Sequence, residues 1–221
     1  IPTRILPDVV SPGKVLGCIR QNILRECGFE KPISLIAGAS HDTASAVAAI
    51  PGMDVASVFI SSGTWSLIGV EVSEPNVSPE ALKLLFTNEG GADGKFLLLK
   101  NITGLWILQE CLHRWRSLGM KSDWSDVVRA ASEAMPLQCI FDPNRPNFQV
   151  RGNMPLEIQN YCRASGQTVP TTMGEIARCA LESLSLKYRS GVEALETLTG
   201  RDLQTIRVVG GGSLNAVLSQ M

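Results

Sequence analysis

The chain has 221 residues, 44% of them hydrophobic and 19% charged, with a net charge of −1. That balance gives no electrostatic footprint for nucleic acid or an anionic membrane, and no apolar run approaches the ~18 residues of a membrane span. Neither kind of partner is expected.

The six cysteines, at positions 18, 27, 111, 139, 162 and 179, form no CxxC pair and fall in apolar segments. They are expected to be buried free thiols in a reducing compartment, with no disulfide or zinc framework. With no secretory signal, the expected location is the cytoplasm. The chain opens at Ile1 and stops nine residues after a glycine triplet, inside a starting helix, so a fragment of a larger protein is expected.

In chain order, residues 1–17 read as an extended, turn-rich approach, and Cys18 to Gly28 as a short helix. Ile33 to Ala37 has the length and composition of a buried strand. A break at Gly38-Ala39-Ser40 leads to His41, Asp42 and Thr43. The Ala/Val-rich segment Ala44 to Ile50 then reads as a close-packing helix stopped by Pro51-Gly52. Val55 to Ile60 and Trp65 to Val72 read as two strands of a hairpin whose tip is Ser61-Ser62-Gly63-Thr64. A short helix is expected from Pro79 to Phe86, a polar turn at Asn88 to Gly91, and a strand from Phe96 to Leu99. Lys100 to Gly104 is read as opening a helix that runs to Leu118, buried along Trp106, Ile107, Cys111, Trp115 and Leu118.

Further helices are expected over Asp126 to Met135 and Leu156 to Ala164. The longest runs from Met173 to Thr199, with Thr172 and Glu175 as a capping box and Gly200 as its stop. A strand, Ile206 to Val209, precedes Gly210-Gly211-Gly212 and another helix start. Alternating strands and helices predict an α/β layered fold.

Three stretches stand out chemically. Asp42 follows a strand and precedes a helix, which suits an N-cap, but a carboxylate at a strand's carboxyl end also suits a general base. The hairpin tip suits either a plain turn or a phosphate cradle in which Gly63 admits close backbone approach. Three glycines between a strand and a helix are costly in backbone entropy, so close approach of a ligand is the better explanation. They match neither a dinucleotide fingerprint nor a Walker A loop. Asn101 reads as a cap or turn former. Together, one carboxylate and two glycine-bearing turns suggest nucleotide-dependent phosphoryl transfer to a hydroxyl.

At these residues the sequence resembles the FGGY family of carbohydrate kinases. The matching runs are Ala39 to Val47, Ser61 to Leu67, Asn88 to Gly91, Lys100 to Trp106 and Val209 to Gly212. The His-Asp-Thr triplet and Gly-Thr-Trp turn look most like the members acting on L-rhamnulose. The resemblance implies an actin-like (ribonuclease H-like) α/β fold, a mixed sheet flanked by helices, incomplete in this chain. Residues 1–50 are the expected tail of an N-terminal sugar-binding domain, and 51–221 a truncated C-terminal ATP-binding domain.

The implied partners are a small sugar and ATP with Mg²⁺. Asp42 resembles the catalytic base, and His41, Thr43 and Asn101 resemble sugar contacts. Thr64 resembles a phosphate contact and Gln109 an ATP contact. Gly210, Gly211 and Gly212 resemble the turn beneath adenosine, with Asn215 beside adenine. The alternatives are another sugar acceptor, L-fuculose or a pentulose, or a non-catalytic nucleotide-binding regulator. The chain alone is expected to be inactive, because the family's first phosphate loop is missing from it.

Overall fold

A computed structural model describes residues 3–39 and 41–221 of the chain. The expectations that fall on Ile1, Pro2 and Ser40 lie outside the described residues.

Eight helices and seven strands are described. The strands are β1 (Val15–Cys18), β2 (Ser34–Ile36), β3 (Ser57–Ser62), β4 (Trp65–Val72), β5 (Thr87–Gly90), β6 (Phe96–Thr103) and β7 (Thr205–Val209). The helices are α1 (Gln21–Glu26), α2 (Asp42–Ala48), α3 (Pro79–Lys83), α4 (Trp106–Ser117), α5 (Trp124–Glu133), α6 (Met154–Ala164), α7 (Met173–Thr199) and α8 (Ala216–Gln220). None is long and apolar enough to cross a membrane.

The centre is a five-stranded mixed sheet in the order β5-β6-β4-β3-β7. Its ladders are antiparallel except between β3 and β7, where Ser57 faces Thr205 and Ser61 faces Val209 in parallel. The expected hairpin is β3 and β4, with Ser62 opposite Ser66 and a turn at Gly63-Thr64.

Side chains alternate across a strand, so the sheet has two apolar faces. One presents Val58, Ile60, Ile68, Val70, Leu98 and Ile102 to the larger core, which α4, α5, α6 and α7 close. The other presents Phe59, Leu97 and Leu99, over which α2 lays Ala44 and Val47. The Ala/Val composition of α2 is what permits this close packing.

Helix α7 has the expected bounds. Thr172 and Glu175 form a reciprocal capping box, and Gly200 ends it in the left-handed region at φ 66°. Helix α5 likewise begins with a capping box, between Asp123 and Asp126.

Several expectations are corrected. Lys100 to Thr103 does not open a helix; it completes β6, whose eight residues pair with β4 from Phe96↔Val72 to Thr103↔Trp65. A long ladder outweighs the local preference of Lys-Asn for a turn, and the helix starts only at Trp106. Leu118 is 63% exposed and does not join the buried face of α4. Asn88 to Gly90 belongs to β5, paired with β6. Strand β2 is not buried: its sole ladder partner among the described residues is β1, and Leu35 and Ile36 are 49% and 56% exposed. Cys18 and Cys27 are exposed thiols, whereas the other four cysteines are buried.

Candidate active site

The turn before α2 places His41, Asp42 and Thr43 at its first residues. The cap is His41, not Asp42: His41 is extended (φ −133°, ψ 145°), and its Nδ1 lies 3.3 Å from the Thr43 N–H. Asp42 is the first helical residue, and its Oδ1 accepts the same N–H at the shorter distance of 2.7 Å. The Asp42 side chain is 95% exposed. Its second carboxylate oxygen therefore remains open to solvent. Thr43 is buried beneath it.

Because α2 packs on the Phe59, Leu97 and Leu99 face, strand alternation decides what lies beside the triplet. Asn101 shares its face with Leu97 and Leu99, and Glu89 pairs directly with Leu97. The His41 Nδ1 lies 3.4 Å from Glu89 Oε2. That oxygen is buried and accepts no hydrogen bond among the described residues. Asn101 is itself exposed, while its backbone carbonyl accepts from Asn144 Nδ2 at 3.2 Å. Asn144 also accepts the Thr103 N–H at 2.9 Å, so the loop after α5 fastens the end of β6. Glu89, which its Asn-Glu-Gly-Gly context disguised as part of a turn, is brought beside the triplet by β5.

The second group forms where the β3–β4 turn meets α4. The Gly63 and Thr64 carbonyls accept the Leu105 and Trp106 N–H groups at 2.9 and 3.0 Å, tying the turn to the first turn of α4. Thr64 is exposed, and so is Gln109 one turn along the helix. Beneath the hairpin, Tyr188 of α7 places its hydroxyl 2.6 Å from Ser66 Oγ and 3.4 Å from Ser62 Oγ. Burial raises the Tyr188 pKa above the ordinary value, and the two serine hydroxyls only partly oppose it.

The glycine triplet packs on the same hairpin. A Cβ at Gly210 would come within 2.6 Å of the Ser62 carbonyl oxygen, at a φ of 83° that already favours glycine. A Cβ at Gly212 would collide with the Ser62 hydroxyl. Close packing against Ser62 thus already requires glycine at two of the three positions. Gly211 differs: nothing lies within 4 Å of its Cβ position. It borders an open cleft of about 700 Å³ whose walls include Trp124, Val128, Leu214 and Val217.

Asn215 is 3% exposed and caps α8, its Oδ1 accepting the Leu218 N–H at 3.1 Å. Its Nδ2 is buried without a partner among the described residues. The expected residues therefore fall into two groups: the triplet with Asn101 on the α2 face, and Thr64, Gln109 and the glycine turn around the hairpin tip.

Residues 58–221 match the family model described as the FGGY family of carbohydrate kinases, C-terminal domain. The chain is 40% identical over 211 residues to a protein named rhamnulokinase in Bacteroides thetaiotaomicron, covering 96% of this chain and 42% of that protein. A rhamnulokinase of Enterococcus faecalis is also 40% identical, with 100% of this chain and 44% of that protein covered. The chain thus spans less than half the length of these curated relatives.

Among solved structures, the xylulose kinase from Rhodospirillum rubrum superposes with a TM-score of 0.69 at 18% identity, over 99% of this chain and 43% of that one. The Plasmodium falciparum glycerol kinase with ADP gives 0.68 at 17% identity, over 99% and 42%. These likenesses establish the fold, the mixed α/β architecture of the actin-like kinases, and the sequence matches establish the family. The chain belongs to the FGGY family of carbohydrate kinases.

Proposed function

We propose that this chain is the ATP-binding part, with the catalytic base, of an enzyme that transfers the ATP γ-phosphoryl group to L-rhamnulose, giving L-rhamnulose 1-phosphate. The carrying observation is the 40% identity to proteins named rhamnulokinase over nearly all of the chain. Residues 1–50 would close the sugar-binding domain and 51–221 would form the nucleotide-binding domain.

Asp42 would accept the proton of the attacking hydroxyl on its unengaged carboxylate oxygen as that hydroxyl's oxygen bonds to the γ-phosphorus and ADP departs. The main-chain bond from Thr43 to the other oxygen supports this role, since it fixes the carboxylate without occupying both oxygens. His41, Thr43 and Asn101 would orient the sugar, so that the reacting atoms meet in line.

The residues present suit a nucleotide. Gly211 lets a ribose or phosphate lie against the backbone, Trp124, Val128, Leu214 and Val217 of the adjoining cleft suit a flat base with Ser125 and Arg129 as polar neighbours, and Asn215 Nδ2 is a buried donor without an acceptor among the described residues. Thr64 and Gln109 would contact the phosphate side. Mg²⁺, bound with the nucleotide, would offset charge on the transferring group.

The test is a substrate panel on the full-length protein with ATP and Mg²⁺. L-rhamnulose should give the highest kcat/KM. A higher value for L-fuculose or a pentulose would reassign the acceptor, and no ADP release with any sugar would favour a non-catalytic nucleotide-binding role.

A further inference from the structure

A single phenol joins the two strands of the central hairpin at its mouth. Ser62 and Ser66 face each other in the β3–β4 ladder, on either side of the Gly63-Thr64 turn. Both reach the Tyr188 hydroxyl, Ser66 Oγ at 2.6 Å and Ser62 Oγ at 3.4 Å. Neither serine side chain has another hydrogen-bond partner among the described residues. Ser62, Ser66 and Tyr188 are 1%, 0% and 9% exposed, so solvent does not stand in for the phenol. The phenolic oxygen can donate to one serine and accept from the other, which gives each of the three buried hydroxyls a partner.

The position of the phenol follows from how α7 lies on the sheet. Tyr188 belongs to the buried side of α7, and Gly191 follows one turn further on. A Cβ at Gly191 would come within 3.0 Å of Ile68 Cδ1, so glycine lets the helix approach β4 closely. That approach brings the Tyr188 hydroxyl up to Ser66.

The same two serines border the other parts of the site. The Ser62 side chain fills the space that a Cβ at Gly212 would need, while Gly210 packs on the Ser62 carbonyl. Ser66 Oγ would lie 2.6 Å from a Cβ at Gly104, just before α4, the helix that carries Gln109. The phenol therefore stands where the hairpin, the 210–212 turn and the entry to α4 meet.

We propose that Tyr188 is a positioning residue for phosphoryl transfer: its hydroxyl holds Ser62 and Ser66, and through them fixes the Gly63-Thr64 turn against the transferring phosphate. This rests on the reading of the chain as the ATP-binding part of a sugar kinase, in which Thr64 contacts phosphate. Tyr188 itself touches no substrate and acts through the turn. Hydrogen bonds suit the task better than apolar packing, because they are directional. Burial raises the Tyr188 pKa, so the hydroxyl keeps its proton, and with it its donor, at neutral pH.

Phosphoryl transfer draws almost entirely on positioning and electrostatic stabilisation. A displacement of about 1 Å in such a site can slow the reaction by about 100-fold. Loss of the phenolic oxygen would free both serine hydroxyls and leave the turn held by its main-chain bonds, those to Leu105 and Trp106 among them. The packing of Gly210 on the Ser62 carbonyl does not involve the phenol. The rate of transfer should therefore suffer more than the binding of nucleotide.

The test is Tyr188→Phe in the full-length protein, with kcat for the best sugar of the panel, calorimetric ATP affinity and melting temperature measured on one preparation. The kcat should fall at least about 10-fold while ATP affinity holds. The variant also leaves the Ser66 hydroxyl buried and unpaired, which lowers stability whatever its role. Tyr188→Phe combined with Ser66→Ala separates the two effects and serves also where the single variant does not fold. Removing both partners of a buried hydrogen bond is close to neutral for stability, so the double variant should regain the melting temperature but not the kcat.

An unaltered kcat in Tyr188→Phe, or recovery of kcat together with melting temperature in the double variant, overturns the inference alone. An unmodified protein that transfers no phosphoryl group to any sugar overturns the kinase reading, and this inference with it.

Discussion

The imidazole Nδ1 of His41 faces the buried Oε2 of Glu89 at 3.4 Å, across the space between the start of α2 and strand β5. The Thr43 N–H, which also approaches Nδ1, makes its shorter bond to Asp42. Nδ1 also lies 3.2 Å from Asp42 Oδ1, so the imidazole sits between the two carboxylates, and Nε2 is the ring nitrogen turned away from both. If His41 contacts the sugar as proposed, Glu89 would act on the sugar through it.

Glu89→Gln in the full-length enzyme removes the carboxylate charge beside the His41 imidazole. Losing this partly exposed ionic contact, about 0.5–1 kcal/mol, should raise the sugar KM roughly 2- to 5-fold with a much smaller change in kcat. Steady-state kinetics with the sugar varied will show it. An unchanged sugar KM would mean that the contact has no bearing on binding.

The three glycines of the 210–212 turn should separate by function. Gly212→Ala forces a methyl group into Ser62 and should cost about 1–3 kcal/mol of stability, read as a lower melting temperature. Gly211→Ala meets open space, so the melting temperature should hold while ATP binding weakens by about 10-fold, or roughly 1.4 kcal/mol. Thermal melts and calorimetric titration with ATP distinguish the two. A Gly211→Ala protein that binds ATP normally would remove this turn from the nucleotide site.

Acid stability should depend on Asp142. Burial alone would raise its pKa, but Lys187 Nζ at 2.9 Å and the Asn144 N–H hold the carboxyl below its ordinary value of 3.8. A group depressed in the folded state stabilises it above the unfolded pKa, and this contribution is lost as pH falls through the lower folded value. Asp142→Asn should therefore lose less stability than the unmodified protein between about pH 5 and pH 3. Urea denaturation at the two pH values checks it, and parallel losses would contradict it.

Much of this molecule was legible where local chemistry decides structure. The capping residues Thr172 and Glu175 and the stop at Gly200 bound α7 correctly, and the β-branched runs around Gly63-Thr64 announced the central hairpin. Legibility failed where distant pairing decides. Lys100 to Thr103 reads as a polar helix entry until β4 lies beside it. The Glu89 contact with His41 needs α2 folded over β5. The glycine triplet read as a ligand loop, yet Ser62 already requires glycine at two of its positions.

The central claim is that Asp42 takes the proton of the sugar hydroxyl. The direct measurement is Asp42→Asn in the full-length enzyme, with kcat for L-rhamnulose phosphorylation and ATP affinity determined on the same preparation. A general base contributes about 10²–10⁴-fold, so kcat should fall at least about 100-fold while ATP affinity and melting temperature stay unchanged. An unaltered kcat, or a parallel loss of kcat, ATP affinity and stability, would make Asp42 a structural residue at the start of α2 and contradict the account.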